Sequence, residues 1–121
     1  MTVAANTLLV EDDALVRFAL AAALAEVGII AIEAGNSLEA LNALSATDDI
    51  QVVVTDIDMP GSVNGLGLVR WLREGRPYIR IVIISGQPLP KDMRIPDDIA
   101  FMLKPFSFER LADVVRELLS D

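Results

Sequence analysis

Histidine and cysteine are both absent from this sequence, and each absence removes whole classes of chemistry. Without histidine there is no Ser/His/Asp triad and no imidazole metal site. Without cysteine there is no thiol nucleophile, zinc–thiolate centre or disulfide. Any chemistry must rest on carboxylates, hydroxyls, lysines and arginines. The lack of cysteine fits a reducing, cytoplasmic setting. Basic runs are missing too, and the formal net charge is −8, so neither nucleic acid nor an anionic membrane is the expected partner. A cation or a basic protein surface suits such a chain better. Long apolar runs are also lacking: the stretch 18–25 is interrupted by Glu26 and Gly28, and the opening MTVAANTLLV has no basic segment. Neither a signal peptide nor a membrane span is expected.

What is present is enough for one domain. With 121 residues, 53% of them apolar, the expectation is a single domain over 1–121 with a sizeable core. Apolar runs of strand length alternate with stretches of helical period, which predicts an α/β domain with a parallel sheet. Strands are expected at 7–10, 29–34, 50–55, 80–84 and 100–103, each β-branched or continuously apolar, as a sheet covered on both faces requires. Helices are expected over 14–27, closing at Gly28, and over 37–44, where Asn36 and Glu39 make a capping box. A third runs from about 66 to 73. The last follows Ser107 as N-cap, with Phe108, Leu111, Ala112, Val115, Leu118 and Leu119 at helical spacing. Between Gly86 and Ile99, Pro88, Pro90 and Pro96 break any helical pattern, leaving only 91–95 free for a turn of helix. The connection there should be irregular, with partners bound through it and the last helix.

Ligands of a doubly wound sheet bind beyond the carboxyl ends of its strands, where the strand order reverses. The first predicted strand runs into Glu11-Asp12-Asp13, the third into Asp56-Ile57-Asp58, the fourth into Ser85-Gly86 and the fifth into Lys104-Pro105. Carboxylates gathered at one edge repel one another unless a cation intervenes or a proton is taken up. Glu11, Asp12 and Asp56 therefore read as a site for a hard cation. An all-oxygen set with few protein ligands favours Mg²⁺. Each piece alone has a plainer reading: Asp12 or Asp13 as helix caps, Ser85 as a turn residue, Lys104 as a solvated lysine.

LLVEDD at 8–13, VVVTDIDMP at 52–60 with Gly65 beyond it, VIISG at 82–86 and FMLKPF at 101–106 together resemble the response-regulator receiver family of two-component signalling. The resemblance runs from Leu8 to about Leu119. It implies a flavodoxin-like five-stranded sheet of order 2-1-3-4-5 with helices on both faces. It implies Asp56 as phosphoacceptor, Asp12 as a direct Mg²⁺ ligand with Glu11 acting through water, and the Asp58 backbone carbonyl as a further ligand. Lys104 and Ser85 would take phosphoryl oxygens, Ser85 and Phe101 would form the switch pair, and Lys104–Pro105 would be cis. Asp13 is then expected in the first turn of the first helix, favoured by the helix dipole. The implied partners are a sensor histidine kinase or histidine phosphotransfer protein and a downstream protein target. Such a module is not a turnover enzyme.

The loop 60–65 is one residue longer than the commonest receiver form, and the span from Ser85 to Lys104 is several residues shorter. Serine stands at 85 where many receivers have threonine, and phenylalanine at 101 where many have tyrosine. Two other readings use the same residues. Asp56-Ile57-Asp58 resembles the nucleophile and acid of a haloacid-dehalogenase-like phosphatase, although there that motif follows the first strand. A pseudo-receiver would keep the fold as an interaction module without phosphorylation.

Overall fold

The computed structural model describes residues 5–58, 65–89, 91 and 94–120. Its elements alternate: β1 (Thr7–Val10), α1 (Ala14–Glu26), β2 (Ala31–Ala34), α2 (Ser37–Ala46), β3 (Val52–Asp56), α3 (Gly65–Gly75), β4 (Arg80–Ser85), β5 (Ala100–Leu103) and α4 (Phe108–Ser120). All pairings are parallel, in the order β2-β1-β3-β4-β5.

Alternation along the strands feeds two cores. Leu8, Val10, Val53, Ile81 and Ile83 point to the face covered by Ala40 and Leu44 of α2 and by Leu68, Val69 and Leu72 of α3. Leu9, Val52, Val54, Val82 and Ile84 point to the other face, against Leu20 and Leu24 of α1 and Leu111, Ala112 and Val115 of α4. Each large apolar side chain so buried contributes roughly 1.5–3 kcal/mol. The continuous apolar reading of β3 and β4 thus has its cause in helices on both sides.

The helix ends hold the sheet-to-helix geometry. Gly28 takes φ 83, its N–H donates to Ala25 O (3.0 Å) and the Ile29 N–H to Leu24 O (2.9 Å), a Schellman closure of α1. Asn36 Oδ1 accepts from Glu39 N (2.8 Å), and Glu39 Oε1 accepts from Gly35 N (2.9 Å). Ser107 Oγ accepts from Arg110 N at the start of α4 (3.0 Å).

Several boundaries differ from the sequence expectation. β2 begins at Ala31 rather than at 29, because the Ile29 N–H is spent on the α1 closure. β3 runs 52–56 rather than 50–55, since Ile50, though buried, sits in the turn where Gln51 N and Val52 N both donate to Asn6 O. α2 and α3 extend past the expected 44 and 73. Asp13 is not a first-turn acid: it is the N-cap of α1, its Oδ1 accepting from Leu15 N (3.0 Å) and Val16 N (3.1 Å). Among the described residues no helix stands between β4 and β5. Pro90, Asp92 and Met93, part of the expected irregular stretch, lie outside the described residues, as do 59–64.

Candidate functional site

The strand order reverses between β1 and β3: the chain passes from β1 outward to β2 on one side and from β3 to β4 and β5 on the other. The crevice beyond the carboxyl ends of these two strands is where side chains from different strands meet. Asp56 closes β3 there and is buried, 3% exposed; Glu11, one residue beyond β1, is equally buried, and Asp12 is exposed. One carboxylate oxygen from each of Glu11, Asp12 and Asp56 lies within 4.8 Å of the other two.

Lys104, just past β5, reaches into this cluster. Its Nζ donates to Asp56 Oδ2 (2.6 Å) and lies 3.7 Å from Glu11 Oε1. The second Asp56 oxygen, Oδ1, accepts the Asp58 N–H (2.7 Å). Asp56 is thus held on both oxygens, by an ammonium and a main-chain amide. The Lys104–Pro105 peptide is cis.

The charges are not balanced. Burial, followed by the facing Asp56 carboxylate, pushes Glu11 up to about 8, against the opposing pull of Lys104. Burial also works to raise Asp56, but hydrogen bonds from Glu11, Lys104 and the Asp58 amide outweigh it, and Asp56 is held below the usual aspartate range. Burial works to lower Lys104, yet its contacts with Asp56 and Glu11 prevail and raise it. One acid of the buried pair therefore keeps its proton while the other ionises. Glu11 Oε2 is buried without a hydrogen-bond partner. An unpartnered buried oxygen beside two further carboxylates, with no nitrogen or sulfur ligand, fits a hard divalent cation of the Mg²⁺ class.

Ser85 and Asp58 are tied to each other. The Ser85 hydroxyl donates to Gln87 O (2.7 Å), accepts the Gln87 N–H (3.1 Å) and lies 3.4 Å from Asp58 Oδ2; the Gly86 N–H donates to the same Asp58 oxygen (2.8 Å). The Asp58 carboxylate is thereby turned towards the end of β4. Among the described residues, the Ser85 hydroxyl has Gln87 and Asp58 as partners, not Asp56. Phe101 of β5 is half-buried and packs on the α2–α3 core.

Two features were missed by the sequence reading. The Asp58 side chain has the anchoring role just described. Arg17 donates from Nη1 to the Glu11 carbonyl (2.8 Å), pairs through Nε with Glu33 of β2 (3.3 Å) and lies over the Phe18 ring at 5.3 Å. A signal for Arg17 did exist. Helical side chains lean towards the N-terminus, so a long residue in the second turn of α1 covers the β1 end.

The response regulator receiver domain family matches residues 7–116. The chain is 35% identical over 123 residues to the sensor kinase CckA of Brucella abortus, covering 95% of this chain and 12% of that protein. A solved response regulator receiver protein from Sinorhizobium medicae superimposes with TM-score 0.85 at 28% identity, covering 97% of this chain and 95% of that one. The Thermotoga maritima response regulator TrrA, solved in complex with Mg²⁺-BeF, gives TM-score 0.80 at 25% identity, covering 95% and 99%. The chain spans only 12–49% of the length of the first curated relatives it matches. Some of those longer relatives are DNA-binding transcriptional regulators.

Proposed function

This chain belongs to the response regulator receiver domain family of two-component systems, and from that premise we propose that Asp56 accepts a phosphoryl group from a partner's phosphohistidine and thereby switches a protein-binding surface. The observation that carries this reading is the buried, ionised Asp56 at the β3 end, flanked by Glu11 and Asp12 and bonded to Lys104 at 2.6 Å. The donor is a sensor histidine kinase or a histidine phosphotransfer protein, and the recipient of the signal is a downstream protein.

An Asp56 oxygen forms the new O–P bond while the P–N bond breaks and its electron pair leaves with the donor imidazole. Transfer of this kind depends on positioning and charge neutralisation more than on covalent chemistry. The Asp58 amide orients the Asp56 carboxylate, and Lys104 shifts from the Asp56 oxygen to a phosphoryl oxygen. Asp12, Asp56 and the Asp58 carbonyl, with Glu11 acting through water, would hold Mg²⁺, which when bound would supply charge to neutralise the carboxylates and the incoming phosphoryl oxygens. Ser85 gives up its Gln87 and Asp58 contacts to meet a phosphoryl oxygen, and Phe101 turns into the space vacated. A beryllofluoride complex with the Phe101 rotamer unchanged from the free protein rejects that switch.

The Asp58 carboxylate, engaged by Gly86 N and facing Ser85, is poorly placed to serve as the general acid of a phosphatase, which supports a stoichiometric switch over a turnover enzyme. Residues 1–121 are read as one receiver domain. No described helix is long and apolar enough to cross a membrane, and a phosphohistidine donor suits a cytoplasmic setting. On this reading the partners of the receiver itself are proteins rather than nucleic acid. The test is incubation with acetyl phosphate and Mg²⁺, borohydride trapping and mass spectrometry. One modification at Asp56, lost in Asp56→Asn, is expected; labelling that persists in Asp56→Asn rejects the proposal.

A further inference from the structure

Between α3 and the β4–β5 connection lies a groove of about 350 Å³ that shares no residue with the carboxylate cluster. Its floor is apolar: Leu66 and Val69 of α3, Ile83 of β4, and Ile95 and Ile99 of the connection. Its rim is basic. Arg70, Arg73 and Arg94 line it, three of the chain's ten lysines and arginines, in a protein of net charge −8. None of the lining residues is acidic. Arg73 already holds a carboxylate, that of Asp98 at 2.5 Å, in an exposed pair.

The groove has a structural cause. A doubly wound sheet normally covers each face with the helices of its crossovers. Among the described residues β4 passes to β5 without a helix, and Ile95 and Ile99 fold back onto the α2–α3 core. Leu66, Val69, Arg70 and Arg73 follow i, i+3, i+4, i+7 spacing, so they share one face of α3 along the groove, apolar at one end, where Val69 is buried, and cationic at the other.

We propose that this groove docks an acidic amphipathic helix of a partner protein, packed alongside α3 where the described residues of the β4–β5 connection form no helix. Apolar side chains of the partner pack on Leu66 and Ile95, which are partly exposed over the buried Val69, Ile83 and Ile99, and flanking carboxylates meet the three guanidiniums, as in helix-in-groove recognition. Charge complementarity selects this occupant. A basic helix would face three arginines, and a nucleic acid would have no use for the apolar floor and would be repelled by the rest of the acidic surface. The interaction is local and does not depend on Asp56 phosphorylation.

The probe is a synthetic helical peptide about four turns long, with leucine on one face and glutamate on its flanks. Amide shifts in isotope-labelled protein locate its binding. Shifts should centre on 66–73 and 94–99, and affinity should fall as salt rises. The double variant Arg70→Glu and Arg94→Glu, at exposed positions, should weaken binding by about tenfold or more and bind the same peptide with lysine flanks instead. The idea is overturned if the lysine-flanked peptide binds wild type as tightly, if a thymidine oligonucleotide shifts the same amides equally, or if the acidic peptide leaves 66–73 and 94–99 unmoved. Repeating the titration on Asp56→Asn keeps the result separate from the phosphoacceptor reading: binding there should be unchanged.

Discussion

Lys104 does two jobs at the cluster that pull in opposite directions. Its ammonium compensates the buried, ionised Asp56 beside the protonated Glu11, and it occupies an Asp56 oxygen that a divalent cation or phosphoryl group would otherwise contact. Lys104→Met should therefore slow phosphoryl uptake from acetyl phosphate by roughly 10²-fold, the usual cost of one charge-stabilising donor. It should also raise Mg²⁺ affinity, because the metal no longer competes with an ammonium. Labelling kinetics and isothermal titration measure the two effects separately, and a parallel fall in both would show that the lysine builds the metal site rather than competing with it. Arg17 acts one step further out. It fixes the Glu11 carbonyl from the α1 side while the Glu11 N–H is held by Ala34 O of β2 at 3.0 Å, so the main chain carrying the acidic pair is clamped from both directions. Arg17→Ala should weaken Mg²⁺ binding several-fold. Arg17→Lys, which keeps the charge but loses the planar fork, should restore only part of it.

At the scale of elements, short-range chemistry was readable and shared backbone groups were not. Gly28, Asn36 with Glu39, and Ser107 each carry the capping role their residue type suggests, because a cap depends on neighbours within a few positions. Asp13 was placed one position too far into α1, since cap and first-turn acid differ by a single step of backbone geometry that composition does not encode. Ile29 and Ile50 look like strand residues and are buried like them, yet the backbone around each turns away from the ladder to close a helix or a loop. The α1 closure gives a clean test. A Cβ at Gly28 would meet nothing within 4 Å, so Gly28→Ala introduces no clash and its effect is the strain of φ 83 alone. That should cost about 1–2 kcal/mol, seen as a lower urea midpoint with an unchanged slope. Asp13→Ala, which frees two amides, should cost about 1 kcal/mol by the same assay.

For the molecule as a whole, the positions of the acids were legible because a parallel sheet sends the end of every strand to one edge, and the order β2-β1-β3-β4-β5 puts β1 and β3 side by side. The hydrogen bonds of Asp58 and Arg17 were not, because they depend on which way a side chain turns once neighbours from distant positions are in place. The protonation of the cluster also belongs to the folded molecule, and it sets how stability should vary with pH. Glu11 is pushed up to about 8 from 4.5. Between those values the unfolded chain has lost this proton while the folded chain keeps it, so the metal-free protein should lose stability as pH rises through that window. Asp56, held below its ordinary 3.8, works the other way: its contribution is present above that value and disappears as the medium becomes strongly acid. The metal-free melting temperature should therefore fall from mildly acid pH towards pH 8. A divalent cation binds the ionised carboxylates of the native state, so the stabilisation by a fixed Mg²⁺ concentration should be small at the acid end, where it must displace the Glu11 proton, and larger near pH 8. Glu11→Gln removes the titrating group, so the metal-free slope over this window should flatten, and most of the Mg²⁺ increment should go with the lost ligand charge. Melting curves with and without Mg²⁺ at three pH values, for wild type and Glu11→Gln, decide the matter. A wild-type Mg²⁺ increment that does not grow with pH would mean that Glu11 is already ionised in the folded protein and that the lone buried Oε2 is satisfied by some other group.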